Sequence, residues 1–430
     1  MNEGGAPAAG VLAELDRRRA TEPEVHGGRL FGLTYPSGRT DLEGLAHAVS
    51  ERYLFGNALN PFKFPELAAL EREVVAMVGS LVHLPQGDLP QGDLPLGDRP
   101  QGDRPQGDGR DGGGGSMTSG GTESILMSML VSRERARARG IERPQILAPF
   151  SAHPAYAKAA HYFDLDLVSI PLDDAYRADL GAAERLIGPR TAVVVASAFS
   201  YPHGVMDPVT DLAALAAANG AGCHVDACIG GFVLPFLERL GREVPPWDFR
   251  VAGVTEMSAD VHKYGYVPKG ASVVLHRDND WFGHQAFLYD RWPAGLYGSP
   301  AIAGARPAAP IATAWAVMTY LGSAGYDAIV RDLMATVDKV RAGIAAIGGI
   351  EVVGDPIGPV IAFRSDTIDL AAVGDVLDER GWNLNRINDP PGLHLMLSPA
   401  HAAVADQLLA DVAEAVADHG ASKGIEARYS

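Results

Sequence analysis

From residue 117 onward the chain alternates short apolar runs with stretches of helical spacing, and this alternation limits its fold more than any other feature. Candidate strands lie at 145–149, 167–170, 192–197, 223–226, 253–258 and 272–275. Between several of them, 122–139, 155–163, 180–187 and 209–219 repeat apolar residues at helical intervals. Strands separated by helices of this length predict βαβ units and a mostly parallel sheet, which binds ligands at the carboxyl ends of its strands. Near residue 308 the pattern turns helical through 324 and on to 347. Candidate strands at 350–353, 360–364 and 393–397 follow, with helices at 370–380 and 401–419. The expected organisation is an N-terminal helical segment (1–56), a large α/β domain (57–307) and a small α+β C-terminal domain (308–430).

One segment departs from this plan. Residues 84–108 are five tandem pentads, LPQGD, LPQGD, LPLGD, RPQGD and RPQGD, and a glycine-rich tail runs from 109 to 115. A proline and a glycine in every five residues prevent a regular helix, and each unit has almost nothing apolar to bury. The period is too short for a solenoid and wrong for collagen. Residues 84–115 are therefore expected to form a flexible surface insertion, with a binding loop or lid as the alternative.

The charge balance is −17, which disfavours nucleic acid and anionic membrane as partners for the whole surface. No signal peptide is expected, because residues 11–20 (VLAELDRRRA) read as a short charged helix. No run reaches the roughly 18 apolar residues of a membrane span. Cys223 and Cys228 make a poor disulfide framework and suit a reducing cytoplasm. No cluster of Cys, His and Asp has structural zinc spacing, so no metal is expected.

Three distant segments carry side chains whose chemistry fits together. Ser119-Gly120-Gly121-Thr122-Glu123-Ser124 leads into a helix, where small residues let free N–H groups and the positive end of the dipole meet a phosphate. Alone, such a turn is also an ordinary helix N-cap. Asp226 ends the apolar run Cys223–Asp226 and precedes Gly230-Gly231. A carboxylate there sits at a ligand-binding strand end, and a protonated ring nitrogen would partner it; a capping Asp is the plainer reading. Lys263 lies within SADVHKYGYVPKG, a connection rich in Ser, His, Tyr and Gly, and is a candidate Schiff-base former. A solvated loop lysine is the alternative.

A phosphate cradle, a pyridinium-pairing Asp and a Schiff-base Lys are together the parts that hold pyridoxal phosphate. The order of these parts over a parallel sheet resembles fold-type I pyridoxal-phosphate (PLP) enzymes, a transferase-like α/β fold. More narrowly, TSGGTESILMS, SAHPAYAKAAHYF, HVDACIGGF, DFRVAGVTEMSADVHKYGYVPKG, YGSPAIAGARP and GWNLN resemble the sphingosine-1-phosphate lyase branch of the group II decarboxylase family. The resemblance runs from about residue 28 to 401 outside the repeat.

It implies that Lys263 carries pyridoxal 5'-phosphate, that Asp226 keeps the pyridine nitrogen protonated and that His153 stacks on the ring. It implies that Gly121, Thr122, Ser258 and His262 bind the cofactor phosphate. Gly298 and Ser299 would reach the phosphate of a neighbouring subunit, making the chain an obligate homodimer. Tyr35, Tyr201 and Lys269 match positions near the substrate's phosphate and hydroxyl groups, with Lys263, Tyr201 or the substrate phosphate as candidate base. The implied reaction is carbon–carbon cleavage of a phosphorylated long-chain β-hydroxy amine to an aldehyde and phosphoethanolamine.

One position breaks the family pattern. Where the family has Asn-x-Leu-His-Pro-x-x-Phe-Pro, the run here is Asn57-Ala58-Leu59-Asn60-Pro61-Phe62-Lys63-Phe64-Pro65. Asn60 can donate a hydrogen bond but cannot carry charge. It favours a second reading, an amino-acid decarboxylase or aldolase with the same cofactor, whereas Tyr35, Tyr201 and Lys269 favour the lyase. A non-catalytic scaffold that binds through its repeat loop is the third.

Overall fold

The computed structural model describes residues 4–85 and 112–424, so most of the pentad repeat lies outside the described residues. Seven strands form the central sheet: β1 (Gly114–Thr118), β2 (Gln145–Pro149), β3 (Asp166–Ile170), β4 (Thr191–Ser197), β5 (Gly222–Asp226), β6 (Glu256–Ala259) and β7 (Ser272–His276). Their order is β1-β7-β6-β5-β4-β2-β3, and only β7 runs against its neighbours. Every residue of β4 and β5 is buried, as continuous apolar runs require when helices cover both faces.

Helices α1 (Ala8–Arg19), α2 (Thr40–Arg52) and α3 (Pro65–Leu81) precede the sheet, and α4 (Gly121–Ala138), α5 (Ala155–Phe163), α6 (Leu180–Leu186) and α7 (Val209–Ala218) connect its strands. The short α8 (Leu234–Arg239) and α9 (Asn279–Phe282) follow, then a hairpin of β8 (Phe287–Tyr289) and β9 (Tyr297–Ser299). The long α10 (Ala308–Ala346) is interrupted at Gly322, whose φ of 51° needs a residue without a side chain. Four antiparallel strands, β10 (Glu351–Val352), β11 (Val360–Arg364), β12 (Asn385–Asn388) and β13 (Pro391–Met396), make a second sheet in the order β10-β11-β13-β12. Helix α11 (Leu370–Glu379) packs on β13, and α12 (Ala405–Ala417) packs on α11 and α10. This is the expected α/β fold of type I with a small α+β unit towards the C-terminus.

Four departures have physical causes. The glycine-rich tail is not all insertion, because Gly114 and Gly115 pair with His276 and Leu275 in β1. A Cβ on Gly115 would lie 2.3 Å from the Val274 carbonyl oxygen, so glycine here serves close strand approach. Leu84, expected at the start of the flexible segment, is buried against Gly79 and Gly113. The strand expected at 253–258 starts at Glu256, since Val254 closes a turn on Val251. The helix expected at 401–419 begins as a 3₁₀ turn, Pro399–Ala403, in which Ser398 and His401 cap each other.

The lysine connection is anchored from two sides. Tyr264 Oη donates to the Leu397 carbonyl (2.8 Å), and Tyr326 Oη of α10 donates to the Gly265 carbonyl (3.0 Å). Both tyrosines are buried, so the small C-terminal unit and the long helix fix the loop on which Lys263 sits.

Candidate active site

The carboxyl ends of β4, β5 and β6 and the amino end of α4 surround a cavity of about 360 Å³. Ser119, Gly120, Gly121, Thr122, His153, Asp226, His262 and Lys263 line it, together with Tyr35, Tyr201 and Lys269. Segments separated by more than a hundred residues thus meet where a parallel sheet presents its loops.

The floor follows from local sequence. Gly121 starts α4, and a Cβ there would stand 2.7 Å from Cys228 Sγ and 2.8 Å from Asp260 Oδ2. A Cβ on Gly120 would stand 3.1 Å from His262 Cε1. Only backbone fits at this turn, and backbone N–H groups at a helix start favour an anion. Asp226 ends β5 and accepts from the Cys228 N–H at 3.1 Å. His153 Nδ1 accepts from the Ala155 N–H (3.1 Å), which orients the ring ahead of α5, and burial holds its pKa below the ordinary value. Burial pushes His262 down to about 4, and its Nδ1 accepts from the N–H groups of Gly270 (3.2 Å) and Ala271 (3.1 Å).

Lys263 lies against a carboxylate that sequence spacing does not reveal as functional. Its Nζ is 2.9 Å from Asp260 Oδ2, with side-chain exposures of 14% and 2%. Burial alone would lower the lysine's pKa, but the Asp260 charge outweighs it and lifts the amine well above its usual value. Burial likewise opposes the charge on Asp260, which the Lys263 ammonium holds ionised and below the ordinary carboxylate range.

The outer wall is assembled over long range. Tyr35 Oη donates to Met396 Sδ of β13 (2.9 Å), and its ring lies under the Lys269 ammonium at 4.4 Å. Tyr201 packs 4.6 Å from the buried ring of His394, also on β13. Partial burial and the neighbouring Lys263 charge bring Lys269 down to about 8.

Four of the residues expected at the site are not on this wall. Ser258 is fully buried, with its hydroxyl 3.2 Å from His224 Nε2 and 3.3 Å from Cys228 Sγ; the wall position three residues before Lys263 belongs to Asp260. Gly298 and Ser299 sit in β9, where Ser299 Oγ donates to the Ala301 carbonyl (3.0 Å). Asn60 is exposed and accepts from the Lys63 N–H at 3.1 Å. Conversely, Glu123, Phe199 and Cys228 do line the cavity. Glu123 Oε2 accepts from the Ser119 N–H (2.7 Å) and hydroxyl (2.6 Å), while Oε1 accepts from the Ile302 N–H (3.1 Å). The acid after a Gly-Gly-Thr turn was legible as a cap; its hold on the loop after β9 was not.

A doubly covered parallel sheet with a lysine, an aspartate and a glycine turn at its strand ends defines a pyridoxal-phosphate-dependent enzyme of fold type I. The model of the pyridoxal-dependent decarboxylase conserved domain matches residues 56–366. Sphingosine-1-phosphate lyase of Oryza sativa subsp. japonica is 38% identical over 94% of this chain and 72% of its own length. Sphingosine-1-phosphate lyase 1 of Mus musculus is 37% identical over 96% of this chain and 68% of its own. Among solved structures, sphingosine-1-phosphate lyase of Burkholderia pseudomallei superposes with a TM-score of 0.89 at 36% identity, covering 97% of this chain and 92% of that one. A glutamate decarboxylase of Lactobacillus brevis, 20% identical with a TM-score of 0.80 over 99% of this chain and 96% of its own, shares the fold.

The chain belongs to the sphingosine-1-phosphate lyase branch of the pyridoxal-dependent decarboxylase family. It is a pyridoxal-phosphate-dependent lyase, and its residues fit that cofactor. A turn that a single Cβ would fill, a buried lysine facing the cavity and a carboxylate at the end of β5 meet the needs of a phosphate, an aldehyde and a ring nitrogen.

Proposed function

We propose that the chain cleaves the Cα–Cβ bond of a phosphorylated long-chain β-hydroxy amine of the sphingosine 1-phosphate type, giving a fatty aldehyde and phosphoethanolamine. The observation that carries this reading is the convergence of Tyr35, Tyr201 and Lys269 on the outer wall of the cavity that Lys263 lines. Pyridoxal phosphate supplies an electron sink for the pair released when that bond breaks.

The residues divide the remaining work. Lys263 would form the covalent link to the cofactor, Asp226 would hold a proton on its ring nitrogen, and His153 would cover the ring. Gly121 and Thr122 offer the amino end of α4 to the phosphate, joined by His262. Lys269 supplies the cationic head for the substrate's own phosphate. Tyr201 is placed to accept the β-hydroxyl proton, with Lys263 and the substrate phosphate as the other candidate bases.

The reading includes a homodimer with its sites at the subunit interface, to which Gly298, Ser299 and Asn60 contribute from the neighbouring chain. Phe55 is 95% exposed and Phe62 71%, and Trp292 and Ile302 flank β9 in the open, an apolar surface suited to a second copy. A reducing cytoplasm suits its two free, buried cysteines. Among the described residues no helix is long and apolar enough to cross a membrane.

Incubation of the purified chain and pyridoxal phosphate with sphingosine 1-phosphate should release hexadecenal and phosphoethanolamine in equal amounts. Release of carbon dioxide from an amino acid, with neither product formed, would favour the decarboxylase alternative and end this proposal.

A further inference from the structure

We propose that Asp260 is a positioning residue for Lys263, its carboxylate holding the lysine's ammonium at the cavity wall through a 2.9 Å pair. The same pair governs the pH at which the free amine appears. This rests on Lys263 as the cofactor-bearing lysine and goes beyond it, because none of the roles carried by the family motifs falls on Asp260.

The geometry is that of a tight buried pair. Asp260 Oδ2 and Lys263 Nζ are 2.9 Å apart across one turn, in which the Lys263 N–H donates to the Asp260 carbonyl at 3.3 Å. The Asp260 side chain is 2% exposed, with Ser272 alongside. A buried ion pair seldom repays its desolvation, so stability alone is a weak reason for a carboxylate here. It also stands at the phosphate turn, 2.8 Å from where a Gly121 Cβ would be, where a second negative charge opposes phosphate binding. The feature that its position does explain is the lysine.

The groups around the pair are His262 and Lys269 on the same connection, Tyr35 from the N-terminal segment, Cys228 past β5, and His153 ahead of α5. Asp226 closes the far side of the cavity. His262 is held neutral by burial, and its Nε2 is 3.7 Å from Asp260 Oδ2. Asp260 is the carboxylate within salt-bridge reach of Lys263 among the described residues. Two forces of opposite sign therefore act on one amine. Burial favours the neutral form and Asp260 favours the ammonium, and the second wins. Neutralising Asp260 removes the largest influence that favours the ammonium, so burial dominates and the direction of displacement reverses.

The test uses the full chain, freed of cofactor with hydroxylamine and returned to buffer. Acetic anhydride acylates neutral amines only, so labelling across a pH series titrates each lysine, read by mass spectrometry. Exposed Lys158 serves as the internal reference. The expected result is a Lys263 midpoint above that of Lys158 in the natural chain and below it in Asp260→Asn. At a fixed pH below both midpoints, each unit of displacement changes relative labelling about tenfold. Asp260→Glu should restore the upward displacement.

A Lys263 midpoint at or below that of Lys158 in the natural chain overturns the proposal, and so does an unchanged midpoint in Asp260→Asn. If Asp260→Asn does not fold, the natural chain and Asp260→Glu still decide it. No substrate enters this measurement. An upward-displaced Lys263 in a chain that makes no hexadecenal would remove the proposed substrate and leave the role of Asp260 standing.

Discussion

The floor and the outer wall of the cavity are built in different ways. The floor comes from three compact segments at strand ends: Asp226 accepts from the Cys228 N–H and His153 from the Ala155 N–H, each two residues away, and the Gly121 backbone packs directly against Cys228 and Asp260 of the other segments. The wall comes from residues placed by distant partners, Tyr35 by Met396 and Tyr201 by His394, both on β13 of the small sheet. On the proposed assignment, cofactor binding rests on short motifs that meet at the strand ends, and substrate recognition rests on the packing of one unit against the other. Changes in the floor should abolish chemistry outright, whereas changes in the wall should grade affinity.

The largest expected effect is at Lys263. Lys263→Ala removes the amine proposed to form the covalent link, and product formation should fall at least about a thousandfold. Borohydride treatment should leave a cofactor adduct on the Lys263 peptide of the natural chain and none on the variant. Retained turnover would break the assignment of the floor.

Next is the glycine turn. Gly121→Ala places a Cβ 2.7 Å from Cys228 Sγ and 2.8 Å from Asp260 Oδ2, whereas Gly120→Ala meets only His262 Cε1 at 3.1 Å. Overpacking of this kind costs about 1–3 kcal/mol, so Gly121→Ala should weaken cofactor binding by roughly 5- to 150-fold, and Gly120→Ala less. Equilibrium titration with pyridoxal phosphate, followed by absorbance, measures both. Equal losses would show that the turn is not closed in the way its contacts indicate.

The same contrast explains what the sequence could reveal. Asp226 and Lys263 stand in contiguous runs whose residue types, taken together, already suggest their chemistry, and the strands beside them are apolar enough to be read directly. Asp260 lies in the same run as Lys263, but its significance comes from a 2.9 Å pair that spacing alone does not distinguish from a solvated loop acid. Glu123 reads as a helix cap because half of its hydrogen bonding is local; the Ile302 N–H that takes the other oxygen is nearly half the chain away. Gly114 and Gly115 read as part of a flexible tail because composition cannot tell a glycine chosen for freedom from one chosen for close strand approach. Ser258, in a motif shared with the family, has its hydroxyl committed to His224 and Cys228 behind the wall.

On the wall, Lys269 offers a pH test with a defined sign. Its ammonium, held near pKa 8, is present below that value and lost above it. Affinity for a phosphorylated ligand should therefore fall as pH rises through about 8, whereas an ordinary exposed lysine would stay charged to about 10. Inhibition by O-phosphoethanolamine, measured across this range, should weaken severalfold in the natural chain and show a flat profile over the same interval in Lys269→Gln. A flat profile in both would place the phosphate elsewhere on the wall.

The smallest effect should come from Asn60, and it carries the most information about the dimer. Within one chain its side chain is exposed and accepts from the Lys63 N–H, so Asn60→His should leave melting temperature and cofactor affinity unchanged. If a neighbouring chain brings this position to the wall, the imidazole adds a group that can carry charge near the substrate phosphate. An exposed charge pair is worth about 0.2–1 kcal/mol, so KM should fall by roughly 1.4- to fivefold. The effect should disappear in a chain kept monomeric by charged substitutions at Phe55 and Phe62, whose rings are 95% and 71% exposed. A KM that is identical in Asn60→His and the natural dimer would separate this segment from the substrate, and would leave the wall to be built by a single chain.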